Sequence, residues 1–267
     1  MALKFGIMQG RLTMSRKNIL NKFPRNWQKE FYYLKKTDLD YIEFFTEQKF
    51  NKRNPIWSNN GISKIQKKLS STNFKKLILC DNYTIKNPLL SNKTEKYLIN
   101  LINQISFFKS SKLIIPIVSK NLNSNKIFKD HTIFIRNFLD YSKKKKIELS
   151  FEIDAKFKIV KKFCKEFKKN KNFSITLDTG NAYLFNKNFY DEIKNIKSSI
   201  NHVHLKDRNS LGENVVLGTG DINFDLFFKN LNSKKNYDKT ITFETNRGKM
   251  PIKTAKINLD IIKNYLY

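Results

Sequence analysis

Short apolar segments alternate with longer segments of helical periodicity along the whole chain. We interpret the apolar segments as strands at Lys4–Met8, Tyr41–Phe44, Lys76–Cys80, Leu113–Val118, Ile147–Ile153, Phe173–Asp178, Ile200–Leu205 and Thr240–Glu244. The clearest helices predicted between them are Trp27–Lys36, Glu95–Lys109, Thr132–Lys145, Lys156–Lys169 and Ile252–Tyr265. Alternation of this kind is typical of parallel βαβ units. Eight strands favour a closed (β/α)8 TIM barrel over an open sheet, and we expect one domain over residues 1–267.

Four of the predicted strands end on a polar residue that could bind a metal or move a proton. Because side chains alternate across a strand, each of these residues shares a face with a polar residue two positions earlier, and the opposite face is apolar. Charged residues at the carboxyl ends of barrel strands are where barrel active sites are built. The four residues are Glu152, Asp178, His204 and Glu244.

Three carboxylates and one imidazole that converge would repel one another without a cation. A divalent ion resolves this repulsion, and an oxygen-rich site with one imidazole favours Mn²⁺, with Mg²⁺, Co²⁺ or Zn²⁺ as the other choices. Such an ion can polarise neighbouring oxygens of a sugar while a carboxylate moves a proton at the carbon next to the carbonyl. The sequence therefore predicts isomerisation or epimerisation through an enediolate.

Ordered motifs support this prediction. They are Gly6 to Leu12, Tyr41-Ile42-Glu43, Ser150-Phe151-Glu152, Leu177 to Asn181, His202 to Asp207, Gly218 to Phe224 and Phe243-Glu244. Together they resemble the sugar phosphate isomerase/epimerase family of xylose-isomerase-like barrels. The resemblance implies metal ligands at Glu152, Asp178, His204 and Glu244, with Glu152 and Glu244 also acting as the acid/base pair. Asn181 stands where several relatives have a substrate-contacting histidine, which argues against an identical substrate.

Other polar residues near predicted strand ends are candidates for substrate binding. They are Glu43, Asp81, Asn181, Lys206, Arg208 and Arg247. The three cationic residues follow the last two predicted strands, where barrels often bind phosphate. The expected partner is therefore a small carbohydrate, phosphorylated or acidic, and self-association stays open. We expect His202 to be a hydrogen-bonded core residue and His131 to be exposed at the start of a helix. The Gly218–Gly220 segment is either a turn or a backbone approach to substrate.

The formal net charge of +29 raises the question of a nucleic-acid partner. Only 7 of the 52 basic residues are arginine, the residue suited to bidentate phosphate recognition, and the lysines are scattered over the chain. We therefore expect no specific nucleic-acid binding. No apolar run is long enough to cross a membrane, and no signal peptide is predicted. Two isolated cysteines, Cys80 and Cys164, favour the cytoplasm.

Three alternative functions stay open. A metal-dependent dehydratase of a polyol or related acid would use the same ligands and the same proton abstraction. An endonuclease-IV-like DNA repair enzyme would use the positive charge, but its trinuclear site needs more than the three histidines present. A non-catalytic barrel that serves as a binding protein is the third alternative, although the intact strand-end residues argue against it.

Overall fold

The computed structural model describes residues 3–14, 20, 22–118, 121–232 and 237–266. Its strands are β1 Lys4–Met8, β2 Tyr41–Thr46, β3 Leu77–Asp81, β4 Ser111–Val118, β5 Ile147–Asp154, β6 Ile175–Asp178, β7 Ile200–Leu205, β8 Asp207–Arg208, β9 Asn214–Val215 and β10 Thr240–Phe243. Its α-helices are α1 Trp27–Leu34, α2 Asn59–Ser70, α3 Tyr83–Lys86, α4 Asn92–Ile105, α5 Asn125–Lys144, α6 Phe157–Glu166, α7 Thr179–Phe185, α8 Tyr190–Ile196, α9 Phe224–Asn232 and α10 Pro251–Lys263. Of the helices described, none combines the length and hydropathy that a membrane span needs.

Eight of the strands form a closed barrel in the order β1-β10-β7-β6-β5-β4-β3-β2, and the pairs whose register is defined are all parallel. The remaining strands, β8 and β9, make a small antiparallel pair. The predicted (β/α)8 TIM barrel is confirmed. That residues 1–267 form a single domain stays a prediction, because the contacts group the chain into two compact units.

The first unit comprises residues 1–43 and 176–267. Within it β1 pairs with β10, and β10 pairs with β7. The first residues of β2 pair with β1, with Gly6 opposite Tyr41. Side chains such as Ile7, Val203 and Phe243 are almost fully buried. These strands therefore present an apolar side, and their polar residues lie at alternate positions.

The second unit comprises residues 44–175. Within it β3, β4 and β5 pair in continuous parallel register. Strands β3 and β4 are buried over nearly their whole length, as expected for parallel strands covered on both faces. Ser58 and Ser91 cap the N-termini of α2 and α4 through their side-chain oxygens. These caps determine where both helices begin.

Two local predictions need correction. β2 runs on to Thr46, so Glu43 lies inside the strand and not at its end. α5 begins at Asn125, so His131 lies within the helix; it is buried, and its Nδ1 is 2.8 Å from the carbonyl oxygen of Ile127. The expectation that His131 is exposed was therefore wrong. The helix starts earlier than expected because Ile127 and Phe128 already belong to its apolar face, and Phe128 is buried.

Candidate active site

The first unit brings three of the predicted strand-end residues to one place. Asp178 is the last residue of β6, His204 lies near the end of β7, and Glu244 directly follows β10. The backbone N–H of Glu244 donates to the carbonyl of Leu205 at 3.0 Å, which extends the parallel ladder by one residue. As a result Glu244 Oε2 lies 3.3 Å from Nδ1 of His204.

The ammonium group of Lys206 joins two of these carboxylates. Its Nζ lies 2.7 Å from Asp178 Oδ2 and 3.1 Å from Glu244 Oε2. The pKa of Asp178 is lowered: burial opposes ionisation, but attraction to Lys206 and His204 outweighs it. A cation thus already bridges two of the three carboxylates that the sequence predicts as metal ligands.

A buried carboxylate, Glu43, holds both histidines of β7. Its Oε1 lies 2.8 Å from His204 Nε2, and its Oε2 lies 2.9 Å from His202 Nε2. All three side chains are fully buried. Burial alone would raise the pKa of Glu43, but the two imidazoles and their hydrogen bonds lower it below its ordinary value. Glu43 is therefore ionised, and it fixes the orientation of both rings.

Two hydroxyl groups support Glu43 from the barrel interior. The hydroxyl of Thr242 donates to Glu43 Oε2, and Tyr41 Oη lies 2.9 Å from Thr242 Oγ1. Gly6 makes room for the ring of Tyr41, because a Cβ at this position would collide with it. His202 completes the network through Nδ1, which lies 2.7 Å from Thr240 Oγ1. The core role predicted for His202 agrees with these contacts.

The donor set fits a divalent metal. An ionised carboxylate only accepts hydrogen bonds, so Nε2 of His204 carries the proton that Glu43 receives. In the neutral form of the ring, which is the form that binds metal, Nδ1 has a lone pair, and it lies on the side of Glu244. A histidine that is held by a carboxylate through one nitrogen and binds metal through the other is the usual arrangement in metalloproteins. Asp178 and Glu244, which already share one cation, would supply oxygen ligands.

Glu152 and Asn181 occupy different settings. Glu152 lies on β5 in the second unit, opposite Pro116 of β4 in the strand register, and is half-buried. Its role as ligand and acid/base residue stays a prediction. Asn181 lies in the first turn of α7, where its backbone N–H donates to Asp178 Oδ1 at 2.9 Å. This bond helps to hold the Asp178 carboxylate, and substrate contact by the Asn181 side chain stays a prediction.

Asp81 lies in a hydrogen-bonded cluster of the second unit. Its carboxylate accepts from Thr46 Oγ1 at 2.6 Å, from Tyr97 Oη at 2.9 Å and from the N–H of Thr84 at 3.2 Å. Burial raises its pKa above the ordinary value. The contacts favour a role in joining β2, β3 and α4, and the predicted contact with substrate stays untested.

The arginines predicted for anion binding have different surroundings. Arg208 donates through Nη1 to the carbonyl of Gly212 within its own hairpin. Arg247, which follows β10, is only 3% exposed, and its Nη1 donates to the carbonyl of Thr13 at 2.7 Å. Arg247 therefore links the segment after β10 to the loop that follows β1. Lys206, the third cation predicted to bind anions, is paired with Asp178 and Glu244 as described above.

Glu30 and Arg11 position that loop, and the sequence did not single them out. Both carboxylate oxygens of Glu30 lie within 3.0 Å of the N–H of Gly10, and Oε1 also accepts from the N–H of Leu12 and from Thr13 Oγ1. Arg11 donates through Nε to the carbonyl of Thr245, next to Glu244. Two signals could have revealed them: Arg11 follows closely on the apolar β1 segment, and Glu30 is the single acidic residue of the predicted helix Trp27–Lys36.

The carboxylate of Asp207 holds the glycine-rich segment that follows β7 in a turn. Its carboxylate accepts backbone N–H groups from Arg208, Gly218, Gly220 and Ile222 at 2.8–3.3 Å. A Cβ at Gly220 would collide with Asp207 and with the carbonyl of Arg208. Of the two alternatives left open for this segment, the contacts favour a turn folded around Asp207.

A comparison with protein families agrees with the class of fold that the barrel indicates. Residues 134–265 match the family model described as "Xylose isomerase-like TIM barrel". Together with the closed eight-stranded barrel, this match confirms the resemblance to xylose-isomerase-like barrels at the level of the fold. No curated protein matches the sequence significantly.

Particular solved structures show the same fold across nearly the whole chain. D-psicose 3-epimerase from Clostridium cellulolyticum H10, solved with D-tagatose, has 14% identity and a TM-score of 0.74, with 98% of this chain and 99% of that chain covered. The IOLI protein, solved with a zinc atom, has 13% identity and a TM-score of 0.74 over the same shares. The probable 3-DHS dehydratase AsbF from Bacillus anthracis has 14% identity, a TM-score of 0.74 and again 98% and 99% coverage.

Proposed function

We propose that this protein is a metal-dependent isomerase or epimerase of a carbohydrate. The observation that carries the proposal is the cluster in the first unit: Asp178 and Glu244 share one cation, and Glu43 turns Nδ1 of His204 toward Glu244. Such a cluster is suited to a proton transfer next to a carbonyl, and similar barrels include a sugar 3-epimerase.

Glu152, Asp178, His204 and Glu244 would hold the metal, with Mn²⁺ as our first choice and Mg²⁺, Co²⁺ or Zn²⁺ as alternatives. When bound, a divalent ion polarises the carbonyl and hydroxyl oxygens of the sugar. The zinc atom in the IOLI structure supports a metal in this fold.

Glu244 is suited to proton transfer because its side chain is 23% exposed, whereas Asp178 and His204 are almost fully buried. In the proposed reaction one glutamate removes the proton next to the carbonyl, which leaves an enediolate. Glu152, the second member of the proposed pair, returns a proton at the opposite face for epimerisation. Glu43, Asp81, Asn181, Lys206, Arg208 and Arg247 remain our proposed substrate-binding set; of these, Glu43 has contacts that favour positioning His204.

Exchange of substrate hydrogen with solvent tests this reaction. Substrate incubated in D₂O with the metal-loaded enzyme should gain deuterium at the carbon next to the carbonyl. Glu244→Gln keeps the side-chain shape but removes the base, so turnover should fall by roughly 10²–10⁴-fold while substrate affinity changes less. Glu152→Gln should behave in the same way.

Glu213→Gln is the matched control, because this exposed residue lies in the hairpin of the first unit and outside the cluster. It should retain turnover. Complete retention of the substrate hydrogen, with both active-site variants near full activity, would refute the acid/base roles of the two glutamates.

Dehydration is the second candidate, and the likeness to a probable 3-DHS dehydratase favours it. The same base would remove the proton, but a hydroxyl group would then leave from the neighbouring carbon. Mass spectrometry of the product separates the two reactions, because an epimer or isomer keeps the mass of the substrate and a dehydrated product loses one water.

The proposed partner is a small carbohydrate, and the proposed compartment is the cytoplasm. Cys80 and Cys164 are not joined in a disulfide bond, which suits a reducing environment.

A further inference from the structure

A large cavity lies in the first unit, beside the loop that follows β1 and the start of α10. Its volume is about 1060 Å³, at the upper end of the roughly 300–1,000 Å³ that small-molecule sites occupy. Leu12, Phe23, Tyr33 and Ile252 are among its apolar wall residues. The cavity therefore has room for a ligand larger than a single neutral monosaccharide.

The charged residues described as lining this cavity are all positively charged. Among its described lining residues none is acidic, and five are cationic: Lys22, Arg25, Lys29, Arg247 and Lys253. The four other cationic side chains are exposed, whereas Arg247 is buried, with 3% of its surface exposed. A buried guanidinium binds anions more strongly than a solvated lysine, and its planar fork suits two oxygens of one phosphoryl group.

Two helices begin at the wall of the cavity. Asn26 precedes α1 and Met250 precedes α10, and both residues line the cavity. Neither of these residues caps its helix with a side-chain hydrogen bond, and α10 has Pro251 in its first turn. Uncapped N–H groups and the positive end of the helix dipole favour an anion at such positions. The helix ends add to the attraction that the five cationic side chains already provide.

One residue that lines the cavity lies close in sequence to the proposed reaction centre. Arg247 is three residues after Glu244, a separation of at most about 10 Å for an extended chain. Its Nη1 is anchored on Thr13, another lining residue. One ligand could therefore place its reacting carbons at Glu244 and its anionic group at Arg247.

We infer that this cavity binds the phosphoryl group of a phosphorylated carbohydrate, with Arg247 as the anchor and Lys253 as a neighbouring contact. The inference rests on the proposed function for the identity of the sugar portion. It selects Arg247 among the three cations that the sequence offered, because Arg247 lines the cavity and Lys206 and Arg208 do not.

Calorimetric titration tests the site without turnover. Fructose 6-phosphate, fructose and inorganic phosphate are added in turn to the full chain with EDTA present and ionic strength held constant. Fructose 6-phosphate should bind, inorganic phosphate should compete with it, and fructose should bind much more weakly. Arg247→Met should weaken the binding of fructose 6-phosphate by roughly tenfold to hundredfold, as expected for a lost charge-assisted hydrogen bond.

Lys253→Gln is a second variant, needed because Arg247 is buried and its replacement could disturb folding. Lys253 is exposed, so the expected loss is smaller, up to about fivefold. The control is Lys256→Gln, an exposed position on the same helix that does not line the cavity, which should bind like the unaltered protein.

The outcomes separate this inference from the proposed function. Phosphate binding that depends on Arg247 and Lys253 supports the site even if no sugar is turned over. Turnover of neutral sugars without such binding leaves the proposed function intact and overturns the inference. Equal losses in Lys253→Gln and Lys256→Gln would also overturn it, because they would assign the binding to the general positive charge.

Discussion

At the scale of single residues, the two ring nitrogens of His204 have separate neighbours. Nε2 is held by Glu43, and Nδ1 faces Glu244. A rotated ring would exchange these roles and leave the buried Glu43 carboxylate with one hydrogen bond fewer, a cost of about 1–3 kcal/mol or more for a charged group. Glu43 therefore fixes the His204 ring in the orientation that the proposed metal site requires.

Lys206 competes with a divalent ion for the same two carboxylates. Lys206→Met removes the ammonium between Asp178 and Glu244, so the affinity for Mn²⁺ should rise by roughly tenfold in the absence of substrate. Isothermal titration with Mn²⁺ measures the change. The metal-free variant should also unfold at a lower denaturant concentration, because two carboxylates lose their shared cation.

Two further variants make this metal prediction decisive. Lys229→Met removes one positive charge from an exposed position on α9 and should leave the Mn²⁺ affinity unchanged. His204→Ala removes a proposed ligand and should lower the affinity. If Lys206→Met binds Mn²⁺ no better than the unaltered protein, Lys206 does not occupy the site of the metal.

The sequence could identify the proposed ligands but not the residues that hold them in place. Asp178, His204 and Glu244 stand out because each interrupts an apolar strand near its end. Glu43 bonds to His202 and His204 across 159 and 161 residues of sequence, and no local pattern encodes such a pairing. Its position depends on the register between β1 and β2, which only the folded barrel determines.

At the scale of elements, Glu30 on α1 ties that helix to the loop after β1. Burial raises its pKa from 4.5 to about 7, so the folded state holds a proton that the unfolded state releases at lower pH. The stabilisation from this group is present in full below pH 4.5 and is lost as the pH rises through 7. Glu30→Gln cannot titrate.

The free energy of unfolding should reveal this titration. Relative to Glu30→Gln, the unaltered protein should lose up to about 3 kcal/mol of stability between pH 4.5 and 8, from a pKa difference of roughly two and a half units. Urea unfolding at several pH values measures the difference. Glu213→Gln controls for the loss of one negative charge at an exposed position. Parallel pH profiles for Glu30→Gln and the unaltered protein would contradict the prediction.

The elements themselves differ in how well sequence predicts them. β1 and β7 have the bounds that the sequence indicates, and nearly all of their residues are buried. Helix starts are predicted less well. α5 begins at Asn125, well before the predicted start at Thr132, because its buried face already begins at Phe128, soon after the exposed Asn125 and Lys126.

At the scale of the whole molecule, the alternation of strands and helices was enough to predict the barrel. Each parallel pair needs a crossover, and eight strands with crossovers close readily into a barrel. The cavity beside α1 and α10 could not be predicted in this way. Its lining residues come from separate segments, at residues 10–14, 22–33 and 247–253, that only tertiary packing assembles.

The charge of the whole chain supports a last prediction. With a net charge of +29 carried mostly by dispersed lysines, the protein should bind DNA weakly and without sequence preference, and its apparent affinity should fall steeply as salt rises. Fluorescence anisotropy with a labelled duplex at several salt concentrations measures this. A duplex with one abasic site serves as the matched comparison and should bind equally. Tight binding of the abasic duplex at physiological salt, or its cleavage, would refute the carbohydrate function and favour DNA repair, because a released counterion atmosphere cannot distinguish a lesion from intact DNA.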